Sequence, residues 1–222
     1  MSARPKPRSQ LRRREVGGVM FQSAEPRLIL ASASFSRRTL LGAAGLHFEA
    51  TPAHVDEAEV KRAARAEGMS AADTALTLAD LKASRVSGRN PAALVIGADQ
   101  ILVCGGVWFD KPADRVAARV QLGELRGRSH TLATGVVCYR SGVRVWHHLA
   151  EPRLTMRRFS DAFLDAYLAA EGEAVTSTVG AYRLEGLGVH LFERVDGDHA
   201  AILGLPLLPL LDVLRQHGVL IG

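Results

Sequence analysis

Between residues 27 and 125, short and wholly apolar runs alternate with segments whose apolar residues recur at helical spacing. A run of Val, Ile and Leu without polar alternation is a strand buried on both faces, and such a strand needs helices on each side of its sheet. The alternation therefore points to an α/β fold, a single domain with a central mixed and twisted sheet flanked by helices. Residues 27–31 and 92–96 read as buried strands and 47–51 as a second short strand. Residues 36–44, 58–67 and 71–86 read as helices between them, the first closed by Gly45 and the last opened by Ser70 with Asp73. Residues 101–109 suggest a hairpin turning at Gly105-Gly106, and Pro112 suits the first position of a helix through Leu125. Residues 131–139 and 143–148 read as paired strands, and strand content continues through 153–159. A helix over 161–170, a strand over 189–194 and a closing helix over 207–217 complete the pattern.

Composition narrows the function classes. The chain of 222 residues is 47% hydrophobic and 23% charged, which supports a packed core rather than general disorder. The only cysteines, Cys104 and Cys138, exclude a disulfide scaffold and suit a reducing, cytoplasmic setting. No apolar run reaches the roughly 18 residues of a membrane span; the longest, 201–211, is broken by Pro206 and Pro209. The net charge of +5 belongs to the first 19 residues, where Arg4, Lys6, Arg8, Arg12, Arg13 and Arg14 face only Glu15. Residues 1–25 thus read as a basic disordered tail and 26–222 as the folded domain. No apolar stretch follows the arginines, as a secretory signal would need, and Met20 could serve as the start of the chain. The remaining body is electrically balanced. A duplex-binding protein carries a basic field on its folded surface, so no nucleic acid is expected to bind the body.

The chemistry is constrained as much by missing motifs. There is no Walker-type phosphate loop, and Gly186-Leu187-Gly188 lacks the third glycine of a dinucleotide fingerprint. No Cys/His cluster has zinc spacing, and the adjacent His147 and His148 would point to opposite faces of a strand. What remains is a set of polar residues at the ends of apolar runs. Asp99 directly follows the strand 92–96, at the place where open α/β sheets hold ligands, although the same position also suits a turn. Asp56 and Glu57 follow the second strand. They could share a hard cation with Asp99, or could simply favour a helix N-terminus. Ser32, Ser34, Ser36, Arg37 and Arg38 enter the first helix, where backbone N–H groups and arginines together would suit a phosphate. Lys82 on a helix and Lys111 before Pro112 do not stand out alone.

These pieces occur together in one family. The segment Leu30-Ala31-Ser32-Ala33-Ser34-Phe35-Ser36-Arg37-Arg38-Thr39-Leu40-Leu41 resembles the opening signature of the Maf-like nucleotide pyrophosphatases. Val55-Asp56-Glu57, Leu81-Lys82-Ala83, Gly97-Ala98-Asp99-Gln100 and Asp110-Lys111-Pro112 continue the match. Gly180-Ala181-Tyr182-Arg183-Leu184-Glu185-Gly186-Leu187-Gly188 and Gly204-Leu205-Pro206 complete it in order. The resemblance implies a Maf/ITPase-like fold and a house-cleaning hydrolase that converts nucleoside triphosphates to monophosphate and pyrophosphate with Mg²⁺ or Mn²⁺. It implies Asp99 as the base or metal-linked carboxylate, Glu57 as its metal-binding partner, and Ser32, Arg37, Lys82 and Lys111 as triphosphate-binding residues.

Finer features resemble one branch. Gln100 and Glu185 match the branch acting on 7-methyl-GTP, whereas the dTTP/UTP branch carries Thr and Gln there. Phe35 replaces the usual Pro. Ser36 stands where the guanine branch has Trp and the pyrimidine branch Arg, so Ser36, Gln100 and Glu185 are the candidate specificity residues. A dTTP/UTP-type pyrophosphatase and a non-catalytic nucleotide-binding or septum-regulatory protein are the competing expectations. Association into a homodimer stays open.

Overall fold

The computed structural model describes residues 21–222. The chain runs through β1 (Leu28–Leu30), α1 (Phe35–Ala43), β2 (Glu49–Ala50), α2 (Glu57–Ala66) and α3 (Ala71–Ser87). It continues through β3 (Leu94–Cys104), β4 (Val107–Phe109), α4 (Arg115–Leu125), β5 (Ser129–Arg140), β6 (Val143–Ala150) and β7 (Arg153–Met156). After α5 (Asp161–Glu171), 3-10 turns lead to β8 (Phe192–Asp196), α6 (His199–Ile202) and α7 (Leu207–Gln216). One eight-stranded sheet has the order β2-β1-β3-β5-β7-β8, with β4 added to β3 and β6 to β5. β1 is parallel to β2 and β3, and the remaining pairs are antiparallel. The fold is the single mixed-sheet α/β domain that the apolar alternation implied.

Helices cover both faces because the inner strands are apolar on both. Ile29, Val95 and Val137 pack with Ala79, Ala83 and Val86 of α3 on one face. Leu30, Leu94 and Ile96 pack with Leu41 of α1 and Leu210, Val213 and Leu214 of α7 on the other. A further core gathers Leu122 and Leu125 of α4, Leu164 and Leu168 of α5, and Leu102, Leu132 and Leu154 of the sheet.

Two glycines set how closely α3 lies on the sheet. A Cβ on Gly135 would sit 2.7 Å from the Leu76 nitrogen, and one on Gly97 would clash with the Ala79 carbonyl. Ala75, Ala79 and Ala83, spaced at i, i+4 and i+8, present the matching small face of the helix.

β3 departs from expectation. Asp99 does not end a strand but lies in the middle of one, paired across to Gly135 of β5. Gly97-Ala98-Asp99-Gln100 reads as a turn by composition, yet β5 supplies the hydrogen bonds that keep it extended. On its other edge β3 pairs with β1 only at Leu94–Ile96 and with β4 only at Leu102–Cys104. Residues 97–101 therefore border an opening in the sheet. Side chains alternate along the strand: Gly97, Asp99 and Ile101 face α3, whereas Ala98, Gln100 and Leu102 face away from it.

Other boundaries also moved. Asp114, not Pro112, opens α4: its Oδ1 accepts from the Ala117 nitrogen at 2.8 Å, which leaves Asp110-Lys111-Pro112 outside the helix. Residues 187–191 form a 3-10 turn with Val189 exposed, and the strand begins only at Phe192. Residues 21–25, assigned to the tail by composition, are bonded to the body. The Ser23 nitrogen donates to the Val219 carbonyl, and Gln22 bridges to Leu220. The rest of the expected basic tail lies outside the described residues. Among the described residues no helix is long and apolar enough to cross a membrane. Cys104 and Cys138 are free, buried thiols.

Candidate active site

The opening beside β3 is the floor of a cavity of about 470 Å³. Because α3 lies close, Lys82 reaches the sheet: its Nζ is 2.6 Å from Asp99 Oδ1 and 2.6 Å from Glu57 Oε1. Asp56 caps α2, accepting from the Glu59 nitrogen at 3.0 Å, so the next residue, Glu57, is free to turn inward. Of the adjacent carboxylates, one is structural and the other belongs to the site. Burial works against the charge on Glu57, but Lys82, with smaller help from Lys61 and Lys111, holds its carboxyl below the usual range.

Ser34 caps α1 and sets the direction of the next turn. Arg37 is buried there. Its Nε donates to the Gly204 carbonyl at 2.9 Å, and its Nη1 to the Ala98 carbonyl at 2.8 Å and to Ser32 Oγ at 3.2 Å. The guanidinium thus satisfies an acceptor on the unpaired edge of β3. Gly204, at φ +94°, leaves room for it, since a Cβ there would lie 3.1 Å from Arg37 Nε. Burial lowers the Arg37 pKa, and Asp99 and Glu57 oppose that effect. Arg38 is exposed. Lys111 also lines the cavity, its pKa lowered by burial and by the charge of Arg37.

The far wall carries the specificity candidates. Ser36 Oγ donates to Glu185 Oε1 at 3.2 Å, which joins two of them directly. Gln100 Nε2 is anchored to Thr134 Oγ1 at 2.8 Å. The loop bearing Glu185 is pinned from behind: Glu171 accepts from Arg183 at 2.7 Å and from the Leu187 nitrogen at 3.2 Å. Tyr182 lines the same wall, its hydroxyl 2.8 Å from Nε2 of buried His130.

The residues singled out by the resemblance, namely Ser32, Ser36, Arg37, Glu57, Lys82, Asp99, Gln100, Lys111 and Glu185, border this one cavity, whereas Asp56 and Arg38 do not line it. Sequence reasoning missed Lys61. It is buried, lines the cavity and pairs with Asp110 at 2.6 Å. Its one signal was its place a helical turn after Glu57, beside which a second inward cation is natural.

Could a cation be held here? Among the described residues no group of three or more His, Cys, Asp or Glu side chains converges. Glu57 and Asp99 nonetheless converge on one positive nitrogen, and Asp99 Oδ2 is buried without a hydrogen-bond partner. Two carboxylates with spare lone pairs are a donor set that fits a hard divalent cation sharing its remaining positions with water and phosphate oxygens.

Residues 27–217 match the family described as Maf-like protein. The chain belongs to the Maf-like family. This Maf-like protein is 58% identical over 194 residues to a nucleoside triphosphate pyrophosphatase of Granulibacter bethesdensis, covering 87% of this chain and 98% of that one. It is 53% identical over 197 residues to the protein of that name from Rhodospirillum rubrum, covering 89% and 98%. For that of Paramagnetospirillum magneticum the identity is 55% over 193 residues, covering 87% and 100%. The matched span of this Maf-like protein holds all of the cavity's charged side chains, and residues 1–26 fall outside it.

Proposed function

We propose that this Maf-like protein is a hydrolase that cleaves nucleoside triphosphates between the α- and β-phosphorus, giving a monophosphate and pyrophosphate. The observation that carries the reading is the charge-paired cluster in which Lys82 holds Glu57 and Asp99 beside buried Arg37. The names of relatives at 53–58% identity support it. A protein that only bound nucleotides would have no need of two carboxylates, one of them buried, where a polyanion must approach.

In this reading Arg37, Lys82, Lys111 and the Ser32 hydroxyl bind the triphosphate and stabilise charge that grows on the phosphoryl oxygens and on departing pyrophosphate. Asp99 orients a water toward the α-phosphorus and takes its proton at Oδ2, the oxygen that has no partner. Glu57 keeps Lys82 in place and shares its charge. A divalent cation, Mg²⁺ or Mn²⁺, bound by Glu57 and Asp99 would supply further positive charge and a more acidic water. Gln100, Glu185 and Ser36 face the base. Both Gln100 and Glu185 offer acceptors, which favours a guanine edge, and the Glu185 charge suits the cationic ring of 7-methyl-GTP.

Product analysis tests this. With a nucleoside triphosphate, Mg²⁺ and ¹⁸O-labelled water, the label should enter the nucleoside monophosphate and pyrophosphate should appear in equal amount. Asp99→Asn should stay folded and lose about 100-fold or more in kcat. Release of orthophosphate with a nucleoside diphosphate would overturn attack at the α-phosphorus.

A further inference from the structure

We infer that Thr134 is a specificity-determining positioning residue, which locks the Gln100 amide so that it meets a base only as a hydrogen-bond acceptor. The inference rests on the reading of Gln100 as part of the base site. Gln100 Nε2 lies 2.8 Å from Thr134 Oγ1, 3.1 Å from the Ala201 carbonyl and 3.2 Å from the Ile202 carbonyl. The carbonyls can only accept, so the atom facing them must be the NH₂ group, and chemistry alone fixes the orientation of the amide. Its two hydrogens are shared among three acceptors and neither is left for a ligand.

Thr134 is the third acceptor of the lock and the one that a side chain contributes. It is the register partner of Gln100 across β3 and β5, and it is completely buried. Its own hydroxyl hydrogen goes to the Ala201 carbonyl at 3.2 Å, which leaves its lone pairs for Gln100. Oε1 has no protein donor among the described residues and is not sealed from solvent. It is the one polar side-chain atom of Gln100 available to the cavity that the residue lines.

Turning the amide over would place Oε1 against two carbonyl oxygens and carry the NH₂ group away from its three acceptors, a loss comparable to one or more hydrogen bonds. With Glu185 the site therefore presents two acceptors. These match a base edge that carries two neighbouring N–H donors, as guanine-type purines do. Uracil and thymine place carbonyl oxygens on either side of a single N–H, and at least one of these would face an acceptor.

The test compares wild type, Thr134→Val and Thr134→Ser by kcat/KM for GTP and UTP. Thr134→Val should lower the GTP-to-UTP ratio about fivefold to tenfold, the worth of one hydrogen bond, and Thr134→Ser should keep the wild-type ratio. An unchanged ratio in Thr134→Val, or equal changes in both variants, overturns the inference. A second readout needs no turnover: the side-chain amide signals of ¹⁵N-labelled free protein, with the Gln100 pair identified by its absence in Gln100→Leu. Both Gln100 amide protons should exchange at least about tenfold more slowly than those of exposed glutamines. Fast exchange in the wild-type chain sinks the lock even if the enzyme is active, and this measurement stands if Thr134→Val does not fold. Slow exchange with no pyrophosphate from any nucleotide would instead overturn the proposed activity, and the specificity role with it.

Discussion

Lys82 holds Glu57 and Asp99 on one nitrogen, so the two carboxylates can stand close together without mutual repulsion. Each of these three charges is defined by the other two, and removing Lys82 would leave two like charges facing each other in a partly buried place. His130 shows the opposite strategy, a titratable group kept neutral. Burial pulls its pKa from 6.5 down to about 4. An unfolded chain takes up a proton as the pH falls below 6.5, whereas the folded chain does so only near 4. Its contribution is therefore complete above 6.5 and is lost as the pH falls through that interval, on the order of 3 kcal/mol in total. The melting temperature should drop between pH 7 and 4.5, and His130→Phe should flatten that slope. A variant with the wild-type slope would show that another group governs it. The motif residues were legible as an ordered set, since singly Asp99 also suited a turn and Lys82 and Lys111 did not stand out. Lys61 and Thr134 were not, because their partners Asp110 and Gln100 are remote in sequence and meet them only in the fold.

At the scale of elements, α3 and β3 carry the site together. Their separation is set by Gly97 and Gly135 against Ala75, Ala79 and Ala83. Gly97→Ala should push the helix outward, cost about 1–3 kcal/mol as an overpacked core does, and lower kcat by moving Lys82 off Asp99. Gly42→Ala on α1 is the control, because a Cβ there meets nothing within 4 Å. It should stabilise the fold by about 0.5–1 kcal/mol, as for a glycine removed from a helix, and so raise the denaturation midpoint. If both substitutions change stability alike, close packing is not what Gly97 provides. The order and type of the long elements followed from periodicity, since apolar runs and helical spacing survive in the folded chain. The length of β3 did not, because its extended state at Gly97–Gln100 depends on β5, whose pairing leaves no mark in the local sequence. The four-residue α6 and the turn at Leu187–Leu191 are set by tertiary bonds and were missed for the same reason.

At the scale of the whole molecule, both ends of the described chain meet at one edge. The Ile221 nitrogen donates to the Phe21 carbonyl, and the Gln22 side chain both donates to and accepts from the His47 backbone. Removing residues 1–20 should leave the melting temperature and turnover unchanged, because every site residue lies beyond them. Removing residues 1–25 should lower the melting temperature by roughly 4–8 °C, as expected for about 2 kcal/mol in a domain of this size. Equal melting temperatures for the two truncations would show that residues 21–25 contribute nothing. The opening in the sheet beside β3 has a wider consequence. Asp99 and Gln100 are neighbours in the chain yet face opposite sides of the strand, one toward α3 and the other toward α6. On the proposed reading of Gln100 as part of the base site, a descendant of this protein could trade one nucleobase for another by altering residues on the α6 side alone. The machinery that breaks the anhydride would be inherited intact, so new substrate preferences could arise without an inactive intermediate.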